Sequence, residues 1–310
     1  MNLIKAFAEK KREVGLKEAM RRGLRFAGNR AATQYYSLLA GIDYRFNKNA
    51  LKQSIVNLHI NNEEIKREFI ESGFPVIDYH IDKEDFSRWL REIRFPADYS
   101  LAYREAFTEK ALEHYLAAKI LELNDDDVFI DVAASFSPWY ELSEKYYKCS
   151  SYAVDLLLPP DKNDPRLIQC DATSMPFEDG SITRMALHCA LEMFENEDDT
   201  NLVKEAARVL KPGGRLVISP LYMRHFYGIW TGLKANRKGI EYGKAKRVWE
   251  DIVPRRRFCR YYDVGAFQER ISGITDKMNA EIYYITNENE VKQAPEDLVY
   301  IKFVACLTRN

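Results

Sequence analysis

The stretch Val128-Phe129-Ile130-Asp131-Val132-Ala133-Ala134-Ser135-Phe136-Ser137-Pro138-Trp139 carries the reading of the fold. Its first five residues read as a buried strand, a short apolar run ending in a turn of small side chains. Upstream, Phe107-Thr108-Glu109-Lys110 predicts a helix start with Thr108 as N-cap, and Ala111 to Leu123 supplies its apolar face. Downstream, short apolar runs alternate with helical segments. Strands are expected at Tyr152–Asp155, Leu167–Cys170, Arg184–His188 and Arg215–Ser219, the last after a Pro212-Gly213-Gly214 turn. Two more are expected late, at Glu281–Thr286 and Leu298–Leu307. This alternation predicts an α/β fold with a doubly wound, mostly parallel seven-stranded sheet, its ligands at the carboxyl ends of the strands.

The 310 residues suffice for one large domain of this kind without staples of sulfur or metal. Hydrophobic residues at 46% and charged residues at 30% describe a globular chain, not a disordered one. Forty-six basic against 47 acidic residues argue against a uniformly basic nucleic-acid binder. Five scattered cysteines without a C-x-x-C pair fit a reducing cytoplasm and no zinc or disulfide framework. No run reaches the ~20 apolar residues of a membrane span, and the N-terminus lacks a signal-peptide core. Residues 1–104 are expected as a helical N-terminal segment and 105–310 as the main domain, with an insertion at 221–262. Nine basic side chains and spaced apolar residues in residues 1–30 predict an amphipathic helix, either packed on its own domain or touching a membrane surface or a protein.

Three acids mark the ends of successive strands: Asp131, Asp155 and Asp171. A carboxylate ending the second strand of a nucleoside-binding fold can accept from ribose hydroxyls. Asp171-Ala172-Thr173-Ser174-Met175-Pro176-Phe177-Glu178-Asp179-Gly180-Ser181 and Arg208-Val209-Leu210-Lys211-Pro212-Gly213-Gly214-Arg215-Leu216 resemble two motifs of class I S-adenosylmethionine-dependent methyltransferases, a Rossmann-like family. Leu187 to Glu195 is similar to a segment of a bacterial subgroup in which His is expected where Met193 stands. The resemblance implies S-adenosylmethionine as cofactor, held by Asp131, Ala133, Ala134, Ser135, Asp155, Asp171 and Ala172.

The family's glycine-rich first loop is here Ala133-Ala134-Ser135. A positive φ at such positions would cost ~1–2 kcal/mol per residue, and a shift to negative φ would keep the loop open. A non-catalytic, partner-binding relative is the alternative that these substitutions leave standing. A nucleic-acid methyltransferase is a further one, without a recognisable RNA-binding module.

His188, at the end of the fourth strand, is the candidate base for a hydroxyl acceptor, and Glu192 the second. The other histidines show no ligand spacing, so no metal is expected. The insertion 221–262 holds eleven basic residues against three acids, with many aromatics. Tyr222, Arg256, Arg257, Arg260 and Tyr261 are its candidate acceptor contacts, since guanidinium grips phosphate or carboxylate and aromatics stack on sugar rings. The expectation is O-methylation of a small or glycan-like acceptor, anionic or lipid-linked, as in polysaccharide biosynthesis, in the cytoplasm or at a membrane face.

Overall fold

The computed structural model describes residues 60–158, 164–250 and 253–310. The expected basic helix over residues 1–30, with its membrane or protein contact, lies outside them. The chain divides into two compact units, Ile60–Tyr227 with Arg260–Asn310, and Met1–His59 with Gly228–Cys259. Residues 60–104, expected with the N-terminal segment, therefore belong to the sheet-bearing unit, and most of the expected insertion belongs to the other.

In chain order the elements are α1 (Asn62–Glu71), β1 (Val76–Tyr79), α2 (Lys83–Ile93), α3 (Ala97–Tyr103), α4 (Phe107–Leu121), β2 (Val128–Val132), α5 (Trp139–Tyr147), β3 (Ser150–Asp155), β4 (Leu167–Gln169), β5 (Ile182–His188), α6 (Asp198–Val209), β6 (Leu210–Ser219), β7 (Gly228–Gly232), β8 (Lys246–Glu250), β9 (Cys259–Tyr261), β10 (Met278–Ile285) and β11 (Phe303–Arg309). The main sheet runs β1-β10-β11-β6-β5-β2-β3-β4. Only β11 is antiparallel to its neighbours. The seven expected strands are all present, joined by an eighth: β1, from the stretch read as helical, pairs parallel with β10 from Val76↔Ile282 to Tyr79↔Ile285.

Alternating side chains send the strands' residues to two apolar layers. Ile130 and Val132 of β2 join Leu202, Val203 and Phe267 on one face. Phe129 faces the other way, onto Trp89, Leu112 and Trp139. Helix α2 is amphipathic in the ordinary sense: Asp82 caps it by accepting from Asp85 N–H at 2.9 Å, and Phe86, Trp89 and Ile93 form its buried stripe.

Helix α4 is different. It packs on β5 and β6, and all of it except Phe107 and Lys119 is buried, including Glu109, Lys110, Glu113 and His114. The expected N-cap is corrected here: Ala106 occupies that position, and Thr108 sits inside the first turn, its hydroxyl donating to Asp297 Oδ2 at 2.5 Å. The expected Pro-Gly-Gly turn is absorbed into the start of β6, where Gly213 takes φ 77° and a Cβ on Gly214 would meet Lys211 O at 2.8 Å.

In the second unit β7 and β8 pair parallel from Gly228↔Lys246 to Gly232↔Glu250, burying Trp230 and Trp249. The Arg237 guanidinium lies 4.8 Å from the Trp249 ring centroid, and that of Arg247 lies 4.0 Å from Tyr242. Among the described residues no helix is long and apolar enough to cross a membrane.

Candidate active site

The carboxyl ends of β2, β3 and β5 converge because the strands are parallel and in register. Asp131 pairs with Ala186, so His188 stands two residues further along the neighbouring strand. Its Nδ1 lies 3.0 Å from Asp131 Oδ1, and both side chains are buried. Asp131 Oδ2 and His188 Nε2 are buried without a hydrogen-bond partner. Buried polar atoms are nearly always satisfied, so two orphans on one pair call for an explanation.

The loop after β2 keeps the conformation glycine would allow. Ala133 has φ 55° and Ser135 φ 51°, so the alternative of a shift to negative φ is corrected. Two left-handed residues cost ~1–2 kcal/mol each. Their cost is offset locally: Ala134 N–H donates to Val154 O at 3.2 Å, and Ser135 N–H to Asp155 Oδ2 at 3.0 Å. Asp155 Oδ1 accepts from Leu157 N–H at 2.7 Å, so this carboxylate braces the loop from the end of β3. Asp171 stays beside its own turn, its Oδ1 accepting from Thr173 N–H at 2.8 Å and from the Thr173 hydroxyl at 2.7 Å, while Ala172 is buried in the core.

A cavity of about 190 Å³ opens between α3, α4, this loop and the end of β5. Asp131, Ala133, Ala134, Ser135 and His188 line it. Its floor also contains groups that sequence reasoning missed. Lys110 Nζ lies 2.6 Å from Glu113 Oε1 inside α4. Burial works against the lysine's charge, but the carboxylate beside it outweighs this and holds the ammonium form. The His114 ring stacks on Trp139 at 4.7 Å and meets the His188 ring edge-on at 4.1 Å. Burial, with His188 and Lys110 nearby, depresses the His114 pKa well below the usual imidazole value, keeping it neutral.

Other expected residues fall elsewhere. Glu192 does not line the cavity; it sits behind Cys189, whose thiol donates to its Oε1 at 3.3 Å. Burial, reinforced by Glu113 and Glu192, pushes the Cys189 thiol up, away from a reactive thiolate. Tyr222 OH lies 3.2 Å from Cys189 Sγ, and its ring meets Tyr261 at 5.5 Å. Arg260, an expected acceptor contact, is 1% exposed, forms an ion pair with buried Asp199 and donates to Asn196 O at 2.6 Å. Arg256 and Arg257 belong to the second unit, Arg256 beside Glu250 at 3.2 Å and Arg257 donating to the carbonyls of Asn236 and Lys238. Among the described residues, Glu64, Glu68 and His225 lie close enough to share an ion, but His225 Nε2 accepts from Asn61 N–H at 3.0 Å.

Against known proteins, residues 141–218 match the family model described as "Methyltransferase domain", from α5 through β6. The match assigns a methyltransferase domain to residues 141–218, and the doubly wound sheet is the one expected for such a domain. S-adenosylmethionine is the methyl donor that the sequence motifs imply for it. Similar solved structures include Burkholderia thailandensis 1,6-didemethyltoxoflavin-N1-methyltransferase, at 12% identity over 76% of this chain and 93% of that one, TM-score 0.46. The PH0226 protein of Pyrococcus horikoshii is similar at 14% identity over 72% and 99%, TM-score 0.40. Streptomyces coelicolor geranyl diphosphate C-methyltransferase is similar at 13% over 71% and 87%, TM-score 0.39. No curated protein matches the chain in sequence.

Proposed function

We propose that the chain methylates a hydroxyl group of a small acceptor, with His188 as general base. The carrying observation is the Asp131–His188 pair: the carboxylate orients the ring through Nδ1, and Nε2 is left without a partner in a residue that lines the cavity.

The residues fit the donor in three respects. Asp131 Oδ2, an acceptor without a donor, suits the α-ammonium of a methionine end. Beside it, Asp155 has two of a carboxylate's roughly four lone-pair positions in use, leaving others for ribose hydroxyls. Leu156 and Leu157, 62% and 86% exposed, offer apolar surface for a purine.

When bound, the donor supplies an electrophilic methyl group on a positively charged sulfur. The protein's part is alignment and proton removal. Asp131 fixes the His188 ring, His188 takes the hydroxyl proton at Nε2, and the aromatic and aliphatic walls exclude water from the reacting oxygen. Glu192 supports this indirectly, through Cys189 and Tyr222.

Titration with S-adenosylhomocysteine and turnover of accepted hydroxyl compounds test the reading. His188→Asn is expected to retain binding and lose about 10²–10⁴-fold in rate. Unchanged turnover would remove His188 from the base role.

A further inference from the structure

We propose that the methyl acceptor is an uncharged ring bearing adjacent hydroxyl groups, seated against Tyr103 and Phe136 with its hydroxyls turned toward Glu113 and His114. This rests on the reading of His188 as the base for the same site. Two independent observations carry it.

The first is the set of unsatisfied atoms. Besides the Asp131–His188 pair, Glu113 Oε2 and His114 Nδ1 are buried with no partner, and both residues line the cavity. Burial pushes the Glu113 carboxyl up, but the ammonium of Lys110 sits 2.6 Å from its Oε1; in this ion pair Oε2 is an acceptor, and the ligand must bring hydrogen-bond donors to it. A phosphate or carboxylate ligand brings none. It would also meet the Glu113 carboxylate, while Lys110, the one Lys or Arg among the described residues lining the cavity, is already on Glu113 at 2.6 Å. An anionic acceptor is therefore disfavoured beside Glu113. Adjacent hydroxyls fit instead: one donates to the carboxylate or imidazole, and its neighbour is presented to His188.

The second is the wall. Tyr103 and Phe136 stack at 5.8 Å with 19° between their planes, and Tyr99 meets Phe136 at 6.1 Å. Phe136 remains 63% exposed, so the wall presents open aromatic surface. A flat ring, whether the C–H face of a sugar or an arene, covers such a surface. Helix α3 and the loop after β2 together supply this wall, so the segment before the methyltransferase-like strands determines what enters.

The test is calorimetric binding to the full chain loaded with S-adenosylhomocysteine, with methyl glycosides of neutral hexoses and catechol against glucuronate and glucose 1-phosphate. A neutral probe is expected to bind at least about tenfold tighter than either anion, with Phe136→Ala weakening it about tenfold and Glu113→Gln weakening it in a folded variant. A glycoside preference over catechol identifies a sugar as the source of the ring, and the reverse an arene. Tighter binding of an anion, no binding of any neutral probe, or indifference to Phe136→Ala overturns the proposal and leaves the methyl-transfer reading intact. Absence of heat with S-adenosylhomocysteine overturns that reading instead, and the probes then decide the ring proposal on the unloaded protein.

Discussion

Replacing Ala133 and Ser135 with glycine probes the loop on which cofactor binding depends. Both residues hold left-handed backbone, φ 55° and 51°. Relief of that conformation is worth ~1–2 kcal/mol per residue, against ~0.4–1 kcal/mol lost to the freer unfolded chain. Each substitution should therefore stabilise by ~0.5–1 kcal/mol and the pair by ~1–2 kcal/mol, read as a rise in urea midpoint at constant slope. Ala134, between them, has no positive φ and serves as the control. Ala134→Gly should destabilise by about 1 kcal/mol. Ser135 contributes only its backbone N–H to the bond with the Asp155 carboxylate, so Ser135→Gly keeps it and should leave S-adenosylhomocysteine affinity equal or higher. If all three glycine variants lose stability alike, the loop is not left-handed and the account of it is wrong.

Asp155→Ala removes the carboxylate that accepts from both Ser135 and Leu157 N–H groups, and should lower S-adenosylhomocysteine affinity at least about tenfold while the fold, followed by circular dichroism, persists. Asp199 receives Arg260, Arg270 and the Tyr262 hydroxyl in a buried cluster. Asp199→Ala leaves a buried guanidinium without its carboxylate and should cost ~3–5 kcal/mol in chemical denaturation. Burial raises the Asp199 pKa, but Arg270 and Arg260 outweigh it and hold the carboxyl below its usual range. Its stabilisation is thus complete above ~pH 3.9 and lost as pH falls through the lowered value, a loss that Asp199→Asn should not show. Glu109 runs the other way: burial lifts it to about 7 against the N–H bonds of Tyr300 and Ile301. Its contribution is complete below ~pH 4.3 and declines as pH rises toward 7, on the order of 3 kcal/mol in all, so Glu109→Gln should flatten stability across that window.

The strands were readable because each is a short apolar run closed by a polar or small residue, as in Val128–Val132 and Arg215–Ser219. Asp131 and His188 were readable too, since parallel pairing brings strand ends together whatever the sequence between them. Strand β1 was hidden because four residues after Pro75, two of them exposed, gain their strand character only from pairing with β10. The floor of the site was hidden because Lys110, Glu113 and His114 pass for the solvated side of a helix. A signal did exist: Ala111, Leu112, Tyr115, Leu116, Ala118 and Leu121 surround that helix with apolar residues, the pattern of an element buried on every side. The basic run Arg255–Arg257 misled for the opposite reason. Arg256 and Arg257 have intramolecular partners, which charge counting cannot reveal.

A crystal structure determined with S-adenosylhomocysteine present addresses the central claim directly. The account predicts the methionine end in the cavity with its ammonium on Asp131 Oδ2, the ribose near Asp155, and Ala133 and Ser135 still left-handed. Phe136 or Ser135 filling that slot, with no ligand density at saturating concentration, would contradict it.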